Sequence, residues 1–238
     1  MSDALAQLHA LRNIKAALGV PATKAPVTLV SLTSDSPPLA AVAIGDLDTA
    51  DNATYLVPGM GTPTAGMHAW TTSALNLHLS QTDAQPGASH AVVAWVGYET
   101  PPIPGEQGGL DVLQNELAEV GGARLNSAPN GFGATRGSTA PALNVVAHSY
   151  GTTTAAFALQ ECGTRVDTFD SVGSAGLPES AAHAVLMAQR MSSCRSDARG
   201  LPTVWGKRNN HRWATESRRF IHPALQAAHV RFTTRSNA

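Results

Sequence analysis

Leu143-Asn144-Val145-Val146-Ala147-His148-Ser149-Tyr150-Gly151-Thr152-Thr153 is the stretch that decides how this chain folds. An apolar run of strand length leads straight into Ser149, and small residues suited to a helix begin directly after it. A turn that tight needs small residues two places before and two places after its apex. Ala147 and Gly151 meet that need, with Ala147 standing where a glycine is usual. Such a turn holds the serine in a strained backbone region and exposes its Oγ above the sheet edge. The helix N-terminus behind it aims amide dipoles at developing negative charge. These residues predict a nucleophile elbow with Ser149 at its apex. The simpler alternative is a serine that only caps a helix after a buried strand.

Upstream, Tyr55-Leu56-Val57-Pro58-Gly59-Met60-Gly61-Thr62 reads as another strand ending in a Gly-rich turn. Acyl transfer at a serine needs two backbone N–H donors for the oxyanion. One would come from the residue after the nucleophile, Tyr150, and one from a loop after an earlier strand, where the Met60 N–H is the natural donor. Glycines at 59 and 61 would let that loop pass close to a substrate. Taken alone, Pro-Gly-x-Gly is also an ordinary turn. A phosphate loop is excluded, because no Lys-Ser/Thr follows at the required spacing.

Around these two segments the pattern is that of an α/β fold. Short apolar runs at Val27–Leu32, Ala40–Ile44, Ala53–Val57, Ala91–Val96, Leu143–Ala147, Val166–Val172 and Thr203–Trp205 predict strands. Helices are expected at Trp70–Ser80, Leu110–Val120, Tyr150–Glu161 and Glu179–Arg190. At the start, Leu8, Leu11, Ile14 and Leu18 recur at spacings of three and four from Leu5 onward. They predict an amphipathic helix ended by Gly19 and Pro21. Strands alternating with helices imply a mostly parallel sheet with helices on both faces and ligands at the edge formed by strand C-termini. Tyr98–Gly109 (YETPPIPGEQGG) would overhang that edge, as a long connection or as a cap over a pocket. Ala128–Ala140 (APNGFGATRGSTA) reads as a connection.

The 238 residues suit a single domain over 1–238, with a helix and linker at 1–26 and a basic C-terminal segment at 188–238. Forty-three per cent of the chain is apolar and 14% charged, which excludes a disordered tail. The formal charge of −1 argues against a nucleic-acid or anionic-membrane partner. No apolar run reaches the roughly 18 residues of a membrane span. The start MSDALAQLHALRNIKAALGV carries Asp3 and polar breaks where a secretory signal has a basic and then an apolar region. With only Cys162 and Cys194, a disulfide scaffold or structural zinc site is excluded and a reducing, cytoplasmic setting is expected. The charge is uneven: residues 188–238 hold ten basic and two acidic side chains, against six and fifteen in the remainder. That tail reads as a solvated segment against an acidic body, or as a basic surface for an anionic partner.

Five segments carry a family resemblance: GDLDTAD (Gly45–Asp51), LVPGMGT (Leu56–Thr62), VVAWVGYE (Val92–Glu99), LNVVAHSYGTT (Leu143–Thr153) and SVGSAGLP (Ser171–Pro178). In this order they resemble the actinobacterial α/β-hydrolase-like family, long carried as a domain of unknown function. The likeness covers roughly residues 3–232 and is dense over 40–180. It implies an α/β-hydrolase fold, a serine nucleophile at Ser149 and an ester-type substrate. It also implies an acid soon after the strand matching Thr203–Trp205, and a histidine beyond the segment matching Leu225–Phe232. This chain departs from that pattern. Lys207, Arg208, Asn209, Asn210 and His211 follow Gly206 without a carboxylate, and no histidine follows Phe232.

The fold's chain order is serine, acid, histidine. Of the acids after Ser149 (Glu161, Asp167, Asp170, Glu179, Asp197 and Glu216), Glu179 follows a predicted strand by a short loop and is the geometric candidate, although an acid there also suits a helix's first turn. His183 falls inside a predicted helix. His222 and His229 lie in the final segment, and chain order favours His229 as the base over His222, with a surface role open to both. His148 reads as packing beside the nucleophile, since a base must face Oγ from another loop. His68, His78 and His90 share no metal-ligand spacing, so neither metal nor cofactor is expected. Trp70, Trp95 and Trp205 read as core residues, and Cys162 lacks an activating charge pattern. Two functions fit. One is a serine hydrolase acting on a small-molecule acyl substrate. The other is a non-catalytic binding protein of the same fold, with the elbow kept and the relay lost.

Overall fold

A computed structural model describes residues 2–20, 24–103, 115–160, 166–174, 176–177 and 203–204. Helix α1 (Ser2–Ala17) leads into an antiparallel pair, β1 (Val27–Leu32) and β2 (Ala40–Ile44). Then come β3 (Asn52–Val57), a 3₁₀ turn at Thr64–Gly66, α2 (Met67–Ala84) and β4 (His90–Val96). Helix α3 (Glu116–Arg136), a second 3₁₀ turn at Gly137–Thr139, β5 (Ala142–His148), α4 (Gly151–Gln160), β6 (Thr168–Val172) and β7 (Thr203–Val204) follow. The strands form one sheet in the order β1-β2-β4-β3-β5-β6-β7. Pairing is parallel from β4 through β7. Among the described strands only β2 runs the other way, because a short hairpin joins it to β1.

The central strands β2, β3 and β4 are buried on both faces. Val42, Ile44, Leu56, Val92, Ala94 and Val146 face a core completed by Ile14 and Ala17 of α1 and by Met67, Trp70, Ala74 and Leu75 of α2. The alternate positions Ala43, Tyr55, Val93, Trp95, Val145 and Ala147 face Ala118 and Leu125 of α3 and Ala155 and Ala158 of α4. Near-continuous apolar strands are what two covered faces require. The chain leaves β3 for β4 on one side and later returns as β5 on the other. The C-terminal ends of β3 and β5 therefore flank the reversal of strand order, where open α/β sheets hold their ligands.

Three expectations need correction. Residues 128–136 are not a connection but the last turns of α3. Leu125, Ala128 and Phe132 share one face and pack into the core beneath α4, so burial outweighs the helix-breaking character of Pro129 and Gly131. The preceding helix, expected over Leu110–Val120, is described from Glu116 onward. In α1 the leucines are not the buried stripe. Leu5, Leu8, Leu11 and Leu18 are exposed, and the helix docks through Ala10, Ile14 and Ala17. Helix α2 extends three residues before and four beyond its expected limits. The remaining strands agree to within one or two residues.

Candidate active site

Strand β5 delivers Ser149 to the C-terminal edge of the sheet, and α4 begins two residues later. Ser149 has φ of 52°, a left-handed value that no other non-glycine residue adopts among those described. Strain of this kind persists only where surrounding bonds over-determine it. Here the Ser149 N–H donates to the Val172 carbonyl at 2.9 Å, and the Ser149 carbonyl accepts from the Thr152 N–H at 3.0 Å. Ala147 is fully buried, and Gly151 packs on the end of β3. A Cβ at Gly151 would stand 2.8 Å from the Val57 oxygen and nearer still to the Pro58 oxygen, so this position admits no side chain.

Strands β3 and β5 are neighbours in register, Val57 opposite Ala147, so their loops emerge side by side. The Pro58–Thr62 turn consequently lies against the serine. A Cβ built on Gly59 would stand 2.6 Å from Ser149 Cβ, 2.8 Å from the His148 oxygen and 3.2 Å from Ser149 Oγ. Met60, half-buried, follows directly. Gly61 has φ of 67° and donates its N–H to the Pro101 carbonyl at 2.8 Å. The Ile103 side chain lies against Gly61, where a Cβ would meet its Cγ1 at 2.6 Å. The first part of the Pro/Gly-rich segment after β4 thus overlies this turn; residues 104–109 lie outside the described ones. Tyr98, wholly buried, donates its hydroxyl to the Pro58 carbonyl at 2.7 Å and stacks on Trp95 with ring centroids 5.9 Å apart.

Ser149, Tyr150, Gly59, Met60 and Gly61 therefore come together at one edge, with the Tyr150 side chain buried in the core below. His148 is half-buried, and loss of solvation holds its imidazole below the usual range, favouring the neutral form. Two of the acids lie on or beside β6. Asp167 sits at the far edge, its Oδ2 accepting the Leu143 N–H at 2.9 Å. Asp170 stands opposite Val146, within the strand, and burial pushes its carboxyl up to about 6. Asp167 is thus at the opposite end from Ser149, and Asp170 sits two positions before Val172, the last residue of β6. Glu161, Glu179, His183, His211, His222, His229, Cys162, Cys194 and Trp205 lie outside the described residues. His78 and His90 are buried at the opposite edge, where β4 starts, and His68 is exposed on α2. Among the described residues no three His, Cys, Asp or Glu side chains could hold a metal, and no helix is long and apolar enough to cross a membrane. Sequence reasoning missed the contact of Gly59 with Ser149 and the parts played by Tyr98, Pro101 and Ile103. The signal available was an aromatic residue set just beyond a buried strand in VVAWVGYE.

A family model described as alpha/beta hydrolase matches residues 35–193, which hold β2 to β6, the Gly-rich turn and Ser149. The chain belongs to the alpha/beta hydrolase family. An uncharacterized protein of Mycobacterium tuberculosis (strain ATCC 25618 / H37Rv) is 36% identical to this chain over 119 residues, 49% of the chain and 18% of that protein. An uncharacterized protein of Mycobacterium bovis is 30% identical over 185 residues, 74% of the chain and 65% of that protein. The chain thus spans less than two thirds of the length of these curated relatives. Among solved structures, it is similar to a siderophore hydrolase from Aspergillus nidulans, with 14% identity and a TM-score of 0.41, over 76% of this chain and 68% of that one. A carboxyl esterase from Tuber melanosporum gives 12% identity and a TM-score of 0.40, over 66% and 48%. At these scores the likeness bears on neither substrate nor mechanism.

Proposed function

We propose that this alpha/beta hydrolase is a single-domain serine hydrolase that cleaves an ester or related acyl bond through an acyl-enzyme at Ser149. The observation that carries the reading is the left-handed φ of Ser149 at a strand-to-helix turn whose Oγ side is lined by a glycine turn. A serine needed only as a helix cap takes an extended backbone and stores no such strain.

In this reading Ser149 Oγ attacks the substrate carbonyl carbon and a histidine base takes its proton. His229 is assigned that role from chain order, with Glu179 as the acid that orients it. The carbonyl oxygen becomes an oxyanion held by the Met60 N–H of the turn that follows β3 and by the Tyr150 N–H just before α4. Collapse of the tetrahedral intermediate breaks the acyl–oxygen bond, and the leaving alcohol takes its proton from the imidazolium. Water then attacks the acyl-enzyme by the same steps in reverse and releases the acid. Ile103, set against Gly61, would line the substrate's approach and favour a small-molecule acyl group.

The alternative, a binding protein that keeps the elbow without turnover, draws on the absence of a carboxylate in Lys207–His211. Hydrolysis of a short p-nitrophenyl ester by the full chain separates the two. The hydrolase reading expects turnover that Ser149→Ala lowers by several orders of magnitude. Equal rates in the two proteins would overturn it.

A further inference from the structure

We infer that Tyr98 is a positioning residue for the turn that supplies the Met60 N–H. The inference rests on the serine-hydrolase reading for its chemistry and on the buried Tyr98–Pro58 hydrogen bond for its geometry. As a positioning residue Tyr98 acts through the Pro58–Gly59 peptide.

The turn is held at both ends, and both holds come from the segment that follows β4. On one side of Met60, the Tyr98 hydroxyl donates to the Pro58 carbonyl at 2.7 Å in a buried setting. On the other side, the Pro101 carbonyl accepts the Gly61 N–H at 2.8 Å. The peptide between Pro58 and Gly59 is trans and planar, so fixing its carbonyl also fixes its N–H, pointing the opposite way. That plane sets the direction from which the next peptide, carrying the Met60 N–H, leaves Gly59. The Pro58 oxygen is further boxed in by Gly151, and Gly59 rests on Ser149 itself. A rotation of this one peptide therefore moves the donor relative to the nucleophile.

The phenol is itself rigidly placed. Its ring stacks on Trp95 at an interplanar angle of 19°. On its other flank α3 presents Gly121, where a Cβ would stand 2.8 Å from Tyr98 Cγ, so the helix lies directly on the ring. Burial raises the Tyr98 pKa well above the usual phenol range, which keeps the hydroxyl a donor at every pH where the protein would work. A buried phenol hydroxyl needs an acceptor of some kind. This one bonds to the residue immediately before the glycine that abuts Ser149.

The test is Tyr98→Phe in the whole chain, which keeps the ring and its stacking and deletes one oxygen. With a p-nitrophenyl ester, kcat should fall about tenfold while KM stays within twofold, because the displaced donor matters in the transition state. The inhibition constant of a trifluoromethyl ketone, whose tetrahedral adduct needs the same donor, should rise in parallel. Leu75→Ala, in the core on the opposite face of the sheet, supplies a destabilised control that should keep its kcat. A Tyr98→Phe kcat within twofold of wild type overturns the inference, as does an equal kcat loss in Leu75→Ala. A readout independent of turnover is amide exchange at Gly61, which should speed up about tenfold when its turn loses one hold. Unchanged exchange also overturns the inference. A wild-type chain that does not turn over ester at all counts against the hydrolase reading instead, and the exchange measurement still decides the role of Tyr98.

Discussion

Gly59→Ala inserts one methyl group between the Gly-rich turn and the serine. Gly59 does not need a left-handed backbone, so alanine can adopt its conformation, and the effect is one of space. The new Cβ would stand 2.6 Å from Ser149 Cβ and 2.8 Å from the His148 oxygen, whereas ordinary contact begins at 3.4 Å. The turn and the elbow must therefore separate by about 0.8 Å, on the scale at which misplacement costs about a hundredfold in rate. That is about 2.7 kcal/mol of transition-state stabilisation. Stability should fall by about 1–3 kcal/mol, as for other overpacked sites. The assay is kcat/KM on a p-nitrophenyl ester beside a urea unfolding curve. Gly66→Ala serves as the control, because a Cβ there meets nothing within 4 Å and φ is an ordinary −98°. It should change stability and rate little. Wild-type kcat/KM in Gly59→Ala, with an unshifted unfolding midpoint, would refute the close packing of this turn on Ser149.

Other expectations follow from the same geometry. Gly61→Val places a β-branched residue at a φ of 67° and against Ile103, so kcat/KM should drop about a hundredfold and by more than the stability loss explains; equal losses in rate and stability would mark the turn as merely structural. Asp170→Asn should stabilise the fold at pH 7. Burial raises the carboxyl from 3.8 to about 6, so the native state holds the proton more tightly than the unfolded chain. Wild-type stability is then full below about pH 4 and is lost as pH rises through about 6, by up to about 3 kcal/mol. Unfolding curves of the variant should lack that slope, and an unchanged slope would contradict the prediction. If His229 is the base, His229→Ala should flatten a pH–rate profile governed by one ionisation near roughly 6.5, and His222→Ala should leave it intact. A profile unaffected by either change would remove the histidine base from this segment.

The fold was legible wherever one period dominated. Val92 to Val96, buried on both faces, can be little other than a central strand, and Ser149 between a strand and small helical residues announces its turn. The end of α3 was illegible for a physical reason. Pro129, Gly131 and Gly133 carry low helix propensity, and only the tertiary burial of Leu125, Ala128 and Phe132 holds the helix together there. In α1 the spacing gave the helix but not its docking face. Leucines outrank alanines in hydrophobicity, yet the buried positions are Ala10, Ile14 and Ala17. At the site, Ser149, Met60 and Tyr150 could be named from motif chemistry, since strand–turn–helix signals are local. The Tyr98–Pro58 and Gly61–Pro101 bonds span 40 residues each, and nothing local in the sequence announces them.

The most direct test of the central claim is covalent capture of the serine. The intact chain is treated with a fluorophosphonate, and the modified peptide is mapped by mass spectrometry, with Ser149→Ala alongside. One phosphonylated residue is expected, Ser149, with no labelling of the variant. An inert wild-type chain, or a label that persists in Ser149→Ala, would contradict it.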